Sequence, residues 1–279
     1  MAESEKEGAE EEERQCGVVG AWPKSVALVR DGSEEVMLLW GLQQPTLHRP
    51  NHFVQQAGLE LRLDACGHEL SISQAPSSLS QIGVTGGVMW DSGVILAKFL
   101  EHSADSHLVE FHGKKVVELG SGCGLVGCVA ALLGAHVILT DLPDRLKLLQ
   151  KNVRENLMGS ARTQRIGAVT AAAAEVLEFT WGDEPDRDLV DPQPDFVVAS
   201  DVIYNEDVVP DLLHSLRALC AAHTTLFVAG ELRNDAVLEC FLDAAIKDFV
   251  VGLVPVDDWH PNFRSPRIAL YVLCRRLRV

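Results

Sequence analysis

The sequence predicts an α/β fold in which a mostly parallel, Rossmann-like sheet carries helices on both faces. Two observations indicate it. From Val84 onward, short apolar strand patterns alternate with segments of helical period, which is typical of such sheets. Residues 116–124 read Val-Val-Glu-Leu-Gly-Ser-Gly-Cys-Gly, so an apolar strand runs into a glycine turn. A turn of this kind lets the backbone approach a bound nucleotide-like cofactor.

The first part of the chain has a different character. Residues 1–14 contain seven glutamates and almost no apolar side chains, which predicts an acidic disordered tail. Residues 15–83 are interpreted as an N-terminal, β-containing appendage. Within it we expect strands at residues 25–30 and 36–40, separated by a hairpin turn at Asp31-Gly32, and another strand at residues 53–63. Residues 84–279 are predicted to form the main domain.

Within the main domain, each element follows from its hydrophobic period and its flanking residues. Gly134, for example, is expected to cap the C-terminus of an apolar helix, and Pro143 suits the start of the next one. The predicted helices are residues 91–101, 125–133, 143–157, 209–219 and 236–247. The predicted strands are residues 115–119, 136–140, 172–181, 196–200, 225–229, 249–254 and 268–273.

Composition narrows the class of protein. The net charge of −16 and the pI near 5.0 argue against a nucleic-acid-binding domain, which usually carries a basic face. Seven cysteines without a CxxC pair predict neither a disulfide framework nor a metal cluster, and they favour a reducing compartment. The Glu-rich start does not resemble a signal peptide, and no apolar run is long enough to span a membrane. We therefore expect a soluble cytoplasmic or nuclear monomer without membrane association.

The identity of the cofactor is less tightly constrained. Gly122, Gly124 and Gly127 also satisfy the G-x-G-x-x-G pattern of nicotinamide-binding proteins, so that interpretation stays open. However, Glu118 adds a carboxylate beside the turn. In addition, Asp141 follows Gly124 by fewer than the roughly 20 residues typical of a dinucleotide site. A ligand with a ribose and a positively charged amino acid arm suits such acids. S-adenosylmethionine is a ligand of that kind.

Five blocks of sequence carry a resemblance to a known family. They are Gly87-Val-Met-Trp90-Asp91 with the following Lys98-Phe-Leu-Glu101, Val117 to Gly127, Leu139-Thr-Asp-Leu142, Thr180-Trp-Gly182, and Pro194-Asp-Phe with Ser200-Asp-Val-Ile-Tyr204. In this order they resemble methyltransferase family 16, the seven-strand, non-histone protein-lysine methyltransferases of class I fold. The resemblance covers residues 84–274. Pro194-Asp-Phe, Glu231-x-Arg233 and Arg264-Ser265 are most similar to the subgroup acting on valosin-containing protein.

The resemblance implies a role for each matching residue. S-adenosylmethionine would be the cofactor, bound by Trp90, Glu118, Gly120, Ser121 and Gly122 at its methionine end, by Asp141 at its ribose, by Trp181 at its adenine, and also by Leu142 and Ser200. The family usually has alanine at Ser200 and threonine at Cys123. Asp201 and Tyr204 would face the methyl group and the incoming nucleophile. The implied acceptor is a lysine ε-amine in a protein such as a chaperone, an AAA ATPase or a translation factor.

Other interpretations remain open at this point. A single tryptophan, tyrosine or aspartate at these positions could serve only packing or capping. A base-amine methyltransferase is disfavoured, because the position of its usual (Asp/Asn)-Pro-Pro-aromatic motif reads Asp201-Val-Ile-Tyr204. A protein-histidine methyltransferase shares the core motifs, and a non-catalytic cofactor-binding scaffold would share the fold.

Overall fold

A computed structural model describes residues 14–43, 51–76, 86–158 and 174–276. The predicted acidic tail, except Arg14, lies outside the described residues, and so does the predicted boundary between residues 83 and 84. Both stay predictions. Among the described residues, no helix is long and apolar enough to cross a bilayer.

A nine-stranded mixed sheet forms the centre of the molecule, with the strand order β1-β2-β10-β11-β9-β8-β5-β6-β7. Strands β5 to β9 pair in parallel, whereas β11, β10, β2 and β1 continue the sheet with antiparallel pairing. The strands are β1 (Cys16–Val19), β2 (Trp22–Leu28), β5 (Lys115–Leu119), β6 (His136–Asp141), β7 (Ala174–Glu178), β8 (Phe196–Ser200), β9 (Thr225–Glu231), β10 (Phe249–Leu253) and β11 (Ile268–Arg275). A separate hairpin consists of β3 (Glu60–Ala65) and β4 (His68–Ser73).

Helices cover both faces of the sheet and bury two apolar cores. The helices are α1 (Gly32–Gln43), α2 (Asp91–Asp105), α3 (Leu125–Leu132), α4 (Leu146–Val153), α5 (Arg187–Val190), α6 (Val209–Leu219) and α7 (Asp235–Ala245). Helices α2, α3 and α4 contribute to one core, and α1, α5, α6 and α7 contribute to the other. Helix α3 is apolar all round because it is almost wholly buried. This arrangement confirms the predicted α/β class.

One predicted element is wrong. Residues 36–40 were expected to form a strand after a hairpin turn, yet they lie in helix α1. Asp31 accepts a hydrogen bond from the backbone N–H of Glu34 at 3.0 Å, which is the contact of a helix N-cap rather than of a hairpin turn. Val36 and Leu39 are buried at a helical spacing of three, so the apolar run matches a helix face as well as a strand.

The N-terminal segment is integrated into the main sheet. Strand β2 pairs with β10, and Trp22 is fully buried against Phe99 of α2 and Phe227 of β9, with ring centroids 5.2 and 6.3 Å away. Strands β1 and β4 were not predicted, and the strand expected at residues 53–63 begins only at Glu60. Residues of the N-terminal segment, such as Trp22 and Val26, therefore form part of the core of the main sheet.

Asp91 ties the N-terminal segment to helix α2 at the edge of the site. Its buried carboxylate accepts hydrogen bonds from the backbone N–H groups of His52, Phe53 and Val54 at 2.6, 3.0 and 3.1 Å. Three donors on one carboxylate hold the loop at residues 52–54 against the start of α2. Because Trp90 precedes Asp91 directly, the same contacts fix the backbone of Trp90.

We predict that Asp91→Ala destabilises the protein by about 3 kcal/mol, because the three N–H groups lose their charged acceptor. Asp91→Asn, which keeps one acceptor oxygen, should cost less. Urea unfolding of both variants measures the difference. Equal stability of Asp91→Ala and the wild type would show that the carboxylate does not hold the loop.

Candidate active site

A cavity of about 260 Å³ lies beyond the carboxyl ends of β5, β6, β7 and β8. In open α/β sheets, ligands bind at this edge, where the strand order reverses. Here the order reverses at β5, whose parallel neighbours are β6 and β8. Ten of the predicted site residues line the cavity: Trp90, Gly120, Ser121, Gly122, Asp141, Leu142, Trp181, Ser200, Asp201 and Tyr204. The remaining one, Glu118, does not.

The turn after β5 needs glycine at its first position. Gly120 has a φ of +62°, in the left-handed region that side chains rarely adopt. A Cβ there would lie 3.0 Å from Cζ2 of Trp181 and 3.2 Å from Cγ1 of Val202. The backbone of the turn is therefore packed against the indole ring, and both form one wall of the cavity.

Asp141 at the end of β6 holds the same turn from the other side. Its carboxylate accepts a hydrogen bond from the N–H of Gly122 at 2.6 Å and another from the N–H of Leu142 at 2.8 Å. Burial raises the pKa of Asp141, and these two backbone donors oppose that shift. Each carboxylate oxygen keeps a second lone pair. The geometry thus leaves Asp141 able to accept hydrogen bonds from ribose hydroxyls.

Two tryptophans lie at different parts of the cavity wall. Trp90 precedes helix α2 and Trp181 follows β7, so different elements supply the two rings. Ser200, the last residue of β8, has its Oγ close to Gly93 of α2, where an added Cβ would lie 3.4 Å away. The indole rings of Trp90 and Trp181 are flat apolar surfaces, which suit an adenine ring and an aliphatic arm.

Asp201 and Tyr204 lie where β8 leaves the sheet. Asp201 adopts a φ of +59°, an uncommon conformation for a non-glycine residue, and its side chain is only 11% exposed. It accepts a hydrogen bond from the N–H of Glu231 at 3.3 Å and pairs with Arg233. Burial raises the pKa of Asp201, while the charge and hydrogen bond of Arg233 oppose the shift. Tyr204 is 42% exposed, so this end of the cavity is accessible from solution.

Glu118 is placed differently from the prediction. It was expected to line the methionine arm, but its side chain is buried beneath the glycine turn, where Oε2 accepts a hydrogen bond from the N–H of Gly127 at 3.0 Å. Alternation along β5 points this side chain towards helix α3. In the structure as described, Glu118 supports the turn and lies outside the cavity lining.

Glu118 should make stability depend on pH. Burial raises its pKa to about 8, above the roughly 4.3 of a free glutamate. Between these values the unfolded chain releases the proton while the folded protein retains it. The free energy of unfolding therefore falls as pH rises from about 4.3 to 8.

We predict that Glu118→Gln removes this part of the fall, so that the variant is more stable than the wild type at pH 8 by about 4–5 kcal/mol and similar at pH 4. Urea unfolding across this range measures the effect, with the exposed Glu155→Gln as the matched control. Parallel curves for Glu118→Gln and the wild type would rule out a neutral, buried carboxyl.

Sequence reasoning missed several residues of the lining. Arg145 and Asp211 line the cavity without a predicted role, and so do Thr180 and Val202, although these two belong to the sequence blocks given above. Arg145 lies between β6, which ends at Asp141, and the start of α4. Asp211 lies on α6, where its side chain packs against Gly182. The sequence offered a signal for Thr180, which precedes the predicted site residue Trp181. No neighbouring residue indicated a role for Asp211.

The comparison with family models establishes the protein family of this chain. Residues 67–247, more than half of the chain, match the family model described as lysine methyltransferase, Methyltransf_16. The chain belongs to this lysine methyltransferase family. The membership confirms the family expected from the five sequence blocks, and with it S-adenosylmethionine as the cofactor.

Relatives in the family are similar over the same region. The chain is 39% identical over 176 residues to the EEF1A lysine methyltransferase 3 of Mus musculus, covering 63% of this chain and 67% of that protein. It is 37% identical over 180 residues to the protein N-lysine methyltransferase METTL21A of Mus musculus, covering 63% and 74%. These names do not favour the histidine alternative. The finer similarity to the subgroup acting on valosin-containing protein stays a prediction.

Solved structures agree with the fold of this family. The 16S rRNA N2 G1207 methyltransferase of T. Thermophilus, solved with AdoMet and guanosine, aligns with a TM-score of 0.50 at 17% identity, covering 78% of this chain and 50% of that one. At this identity the likeness concerns the fold alone. The family's cofactor fits the described cavity, since Asp141 offers carboxylate oxygens for a ribose and the indole of Trp181 offers a flat surface for adenine.

Proposed function

We propose that this protein transfers a methyl group from S-adenosylmethionine to the ε-amine of a lysine in a non-histone protein. The observation that carries the proposal is the position of Asp201 and Tyr204. Both line the cavity that contains the glycine turn and Asp141, and Tyr204 is accessible from solution. An acceptor side chain entering past Tyr204 would meet the carboxylate of Asp201.

The chemical requirement on the acceptor is a neutral amine. When bound, S-adenosylmethionine supplies an electrophilic methyl group on a sulfonium. A free lysine has a pKa of about 10.4, so forming the neutral amine at pH 7 costs roughly 4–5 kcal/mol. Burial between Tyr204 and Asp201 would lower that cost by disfavouring the ammonium. Asp201 then orients the amine, and much of the rate comes from positioning in a site that excludes water.

The choice of acceptor follows from the relatives. Because one of them is named as a lysine methyltransferase of EEF1A, EEF1A is the first acceptor to test. Chaperones and AAA ATPases are the other classes implied by the sequence blocks. We expect the enzyme to act as a monomer on a protein of the cytoplasm or nucleus.

Two measurements test the proposal in sequence. Calorimetry should show binding of S-adenosylmethionine and no comparable binding of NAD, since Asp141, Asp201 and Asp211 line the cavity and their carboxylates disfavour a diphosphate. When the purified enzyme and tritiated S-adenosylmethionine are added to a lysate from cells that lack this enzyme, a protein should become labelled. Binding without labelling of any protein would favour a cofactor-binding scaffold, and binding of NAD alone would overturn the assignment.

A further inference from the structure

Four charged side chains form a network beside the cavity. Arg233 pairs with both Asp201 and Glu231, and the second oxygen of Glu231 pairs with Arg267 at 2.5 Å. The two acids are almost fully buried, with side chains 11% and 2% exposed. Two carboxylates and two guanidiniums balance one another, as a buried set of charges must.

Arg233 is also fixed by an aromatic contact. Its guanidinium carbon lies 4.0 Å from the centroid of the Trp90 ring, within the range of a cation–π interaction. Trp90 and Asp201 both line the cavity. Arg233 therefore contacts two wall residues from different parts of the chain, Trp90 just before α2 and Asp201 just after β8, and both set its position.

This network bears on a conflict within the proposed reaction. A carboxylate close to a lysine amine stabilises the ammonium form and so raises the pKa of the amine. Methyl transfer needs the neutral form. If Asp201 acted as an isolated anion, it would hold the acceptor in place and at the same time oppose its deprotonation.

We propose that Arg233 is a positioning residue that offsets the charge of Asp201, so that the bound acceptor amine loses its proton at a lower pH while Asp201 still orients it. This inference rests on the proposed function. The charged or titratable groups around that point are Asp201, Glu231, Arg233, Arg267 and Tyr204, with Asp141 and Arg145 acting on Tyr204. Among these, Arg233 is the cation that contacts Asp201 directly.

A matched set of variants separates charge from structure. Arg233→Gln removes the positive charge, and Arg233→Lys keeps it while losing the planar group. Arg217→Gln is the control, because Arg217 forms a comparable pair with Asp248 at 2.6 Å and does not line the cavity. Calorimetry with S-adenosylmethionine and thermal unfolding identify any variant that is misfolded.

The measurement is the single-turnover rate of methyl transfer between pH 6.5 and 10. Tritiated S-adenosylmethionine is the donor, the enzyme is in excess, and the acceptor is the protein that the wild type labels in the lysate described above. Rates at saturating enzyme report the bound complex, so they reveal the pKa of the bound amine. In Arg233→Gln the ascending limb should move to higher pH by about one unit or more, since this is the size of a close charge effect. Arg233→Lys and Arg217→Gln should keep the limb of the wild type.

The outcomes distinguish the two claims. An Arg233→Gln enzyme that binds the cofactor but shows an unmoved limb would overturn the role of Arg233 and leave the methyltransferase assignment intact. A limb displaced equally in Arg233→Lys would also overturn it, because charge would not be the cause. Absence of labelling by the wild type would instead remove the proposed function, and this inference with it.

Discussion

Asp201→Asn is expected to lower the rate of methyl transfer by about 100-fold or more, while the affinity for S-adenosylmethionine stays within a few-fold of the wild type. The amide keeps the shape of the side chain but loses the negative charge that orients the acceptor amine. Asparagine is also one of the few residues that tolerate the φ of +59° at this position, so the backbone should be preserved. Asp201→Ala would combine loss of charge with backbone strain and is the poorer test.

The matched control is Asp207→Asn. Asp207 is exposed, lies on the same segment after β8 and does not line the cavity. It should transfer methyl groups at the rate of the wild type. Initial rates with tritiated S-adenosylmethionine, together with calorimetry, separate turnover from cofactor binding. Near-normal turnover of Asp201→Asn would exclude a catalytic role for this carboxylate.

Gly120→Ala should weaken binding of S-adenosylmethionine about tenfold or more, which corresponds to at least about 1.4 kcal/mol. The added methyl group would lie 3.0 Å from Trp181 and 3.2 Å from Val202, so the indole ring must move where adenine is expected to pack. The left-handed φ of +62° adds strain of about 1–2 kcal/mol to the folded state.

Gly113→Ala separates these two effects. Gly113 has a similar φ of +71°, but an added Cβ would meet no atom within 4 Å, and the residue does not line the cavity. This variant should lose about 1–2 kcal/mol of stability and keep the affinity of the wild type. Calorimetry and urea unfolding of both variants give the comparison. Equal affinities of Gly120→Ala and the wild type would show that the turn does not approach the cofactor.

The parallel half of the sheet could be predicted from the sequence because its elements have clear local signals. Strands such as β5 and β8 are short, mainly apolar segments whose residues are almost all buried, and helices such as α6 show an unbroken apolar stripe. Turn residues and proline separate them. Each of these elements is specified mainly by its own residues, so its location could be inferred without knowing its neighbours.

The N-terminal strands and helix α1 could be predicted only in part in this way. The strand expected at residues 25–30 overlaps β2, but β1, the start of β2 and helix α1 were missed. Strand β2 carries Lys24 and Ser25 and is stabilised largely by pairing with β10 and by burial of Trp22 against α2 and β9. Those contacts join residues that are distant in the chain. The run from Val36 to Trp40 is short and apolar, and periodicity alone does not distinguish strand from helix in such a run.

The site shows the same division. The wall residues that follow strands were predicted, because the ends of parallel strands meet at one edge. The buried direction of Glu118 depends on the phase of β5, which the glycine motif does not indicate. The pairing of Arg233 with Asp201 and Trp90 depends on how the end of β9 meets α2, and this is a property of the folded sheet.

The most direct test of the proposed activity is amino acid analysis of the protein that the enzyme labels. The lysate protein labelled with tritiated S-adenosylmethionine would be purified, hydrolysed and separated into methylated amino acids. The proposed function predicts radioactivity in methylated lysine, and less of it by about 100-fold or more when the same protein is treated with Asp201→Asn for the same short time. Radioactivity in methylated histidine, or equal labelling by Asp201→Asn, would contradict the assignment of Asp201 and Tyr204 to the methylation of a lysine.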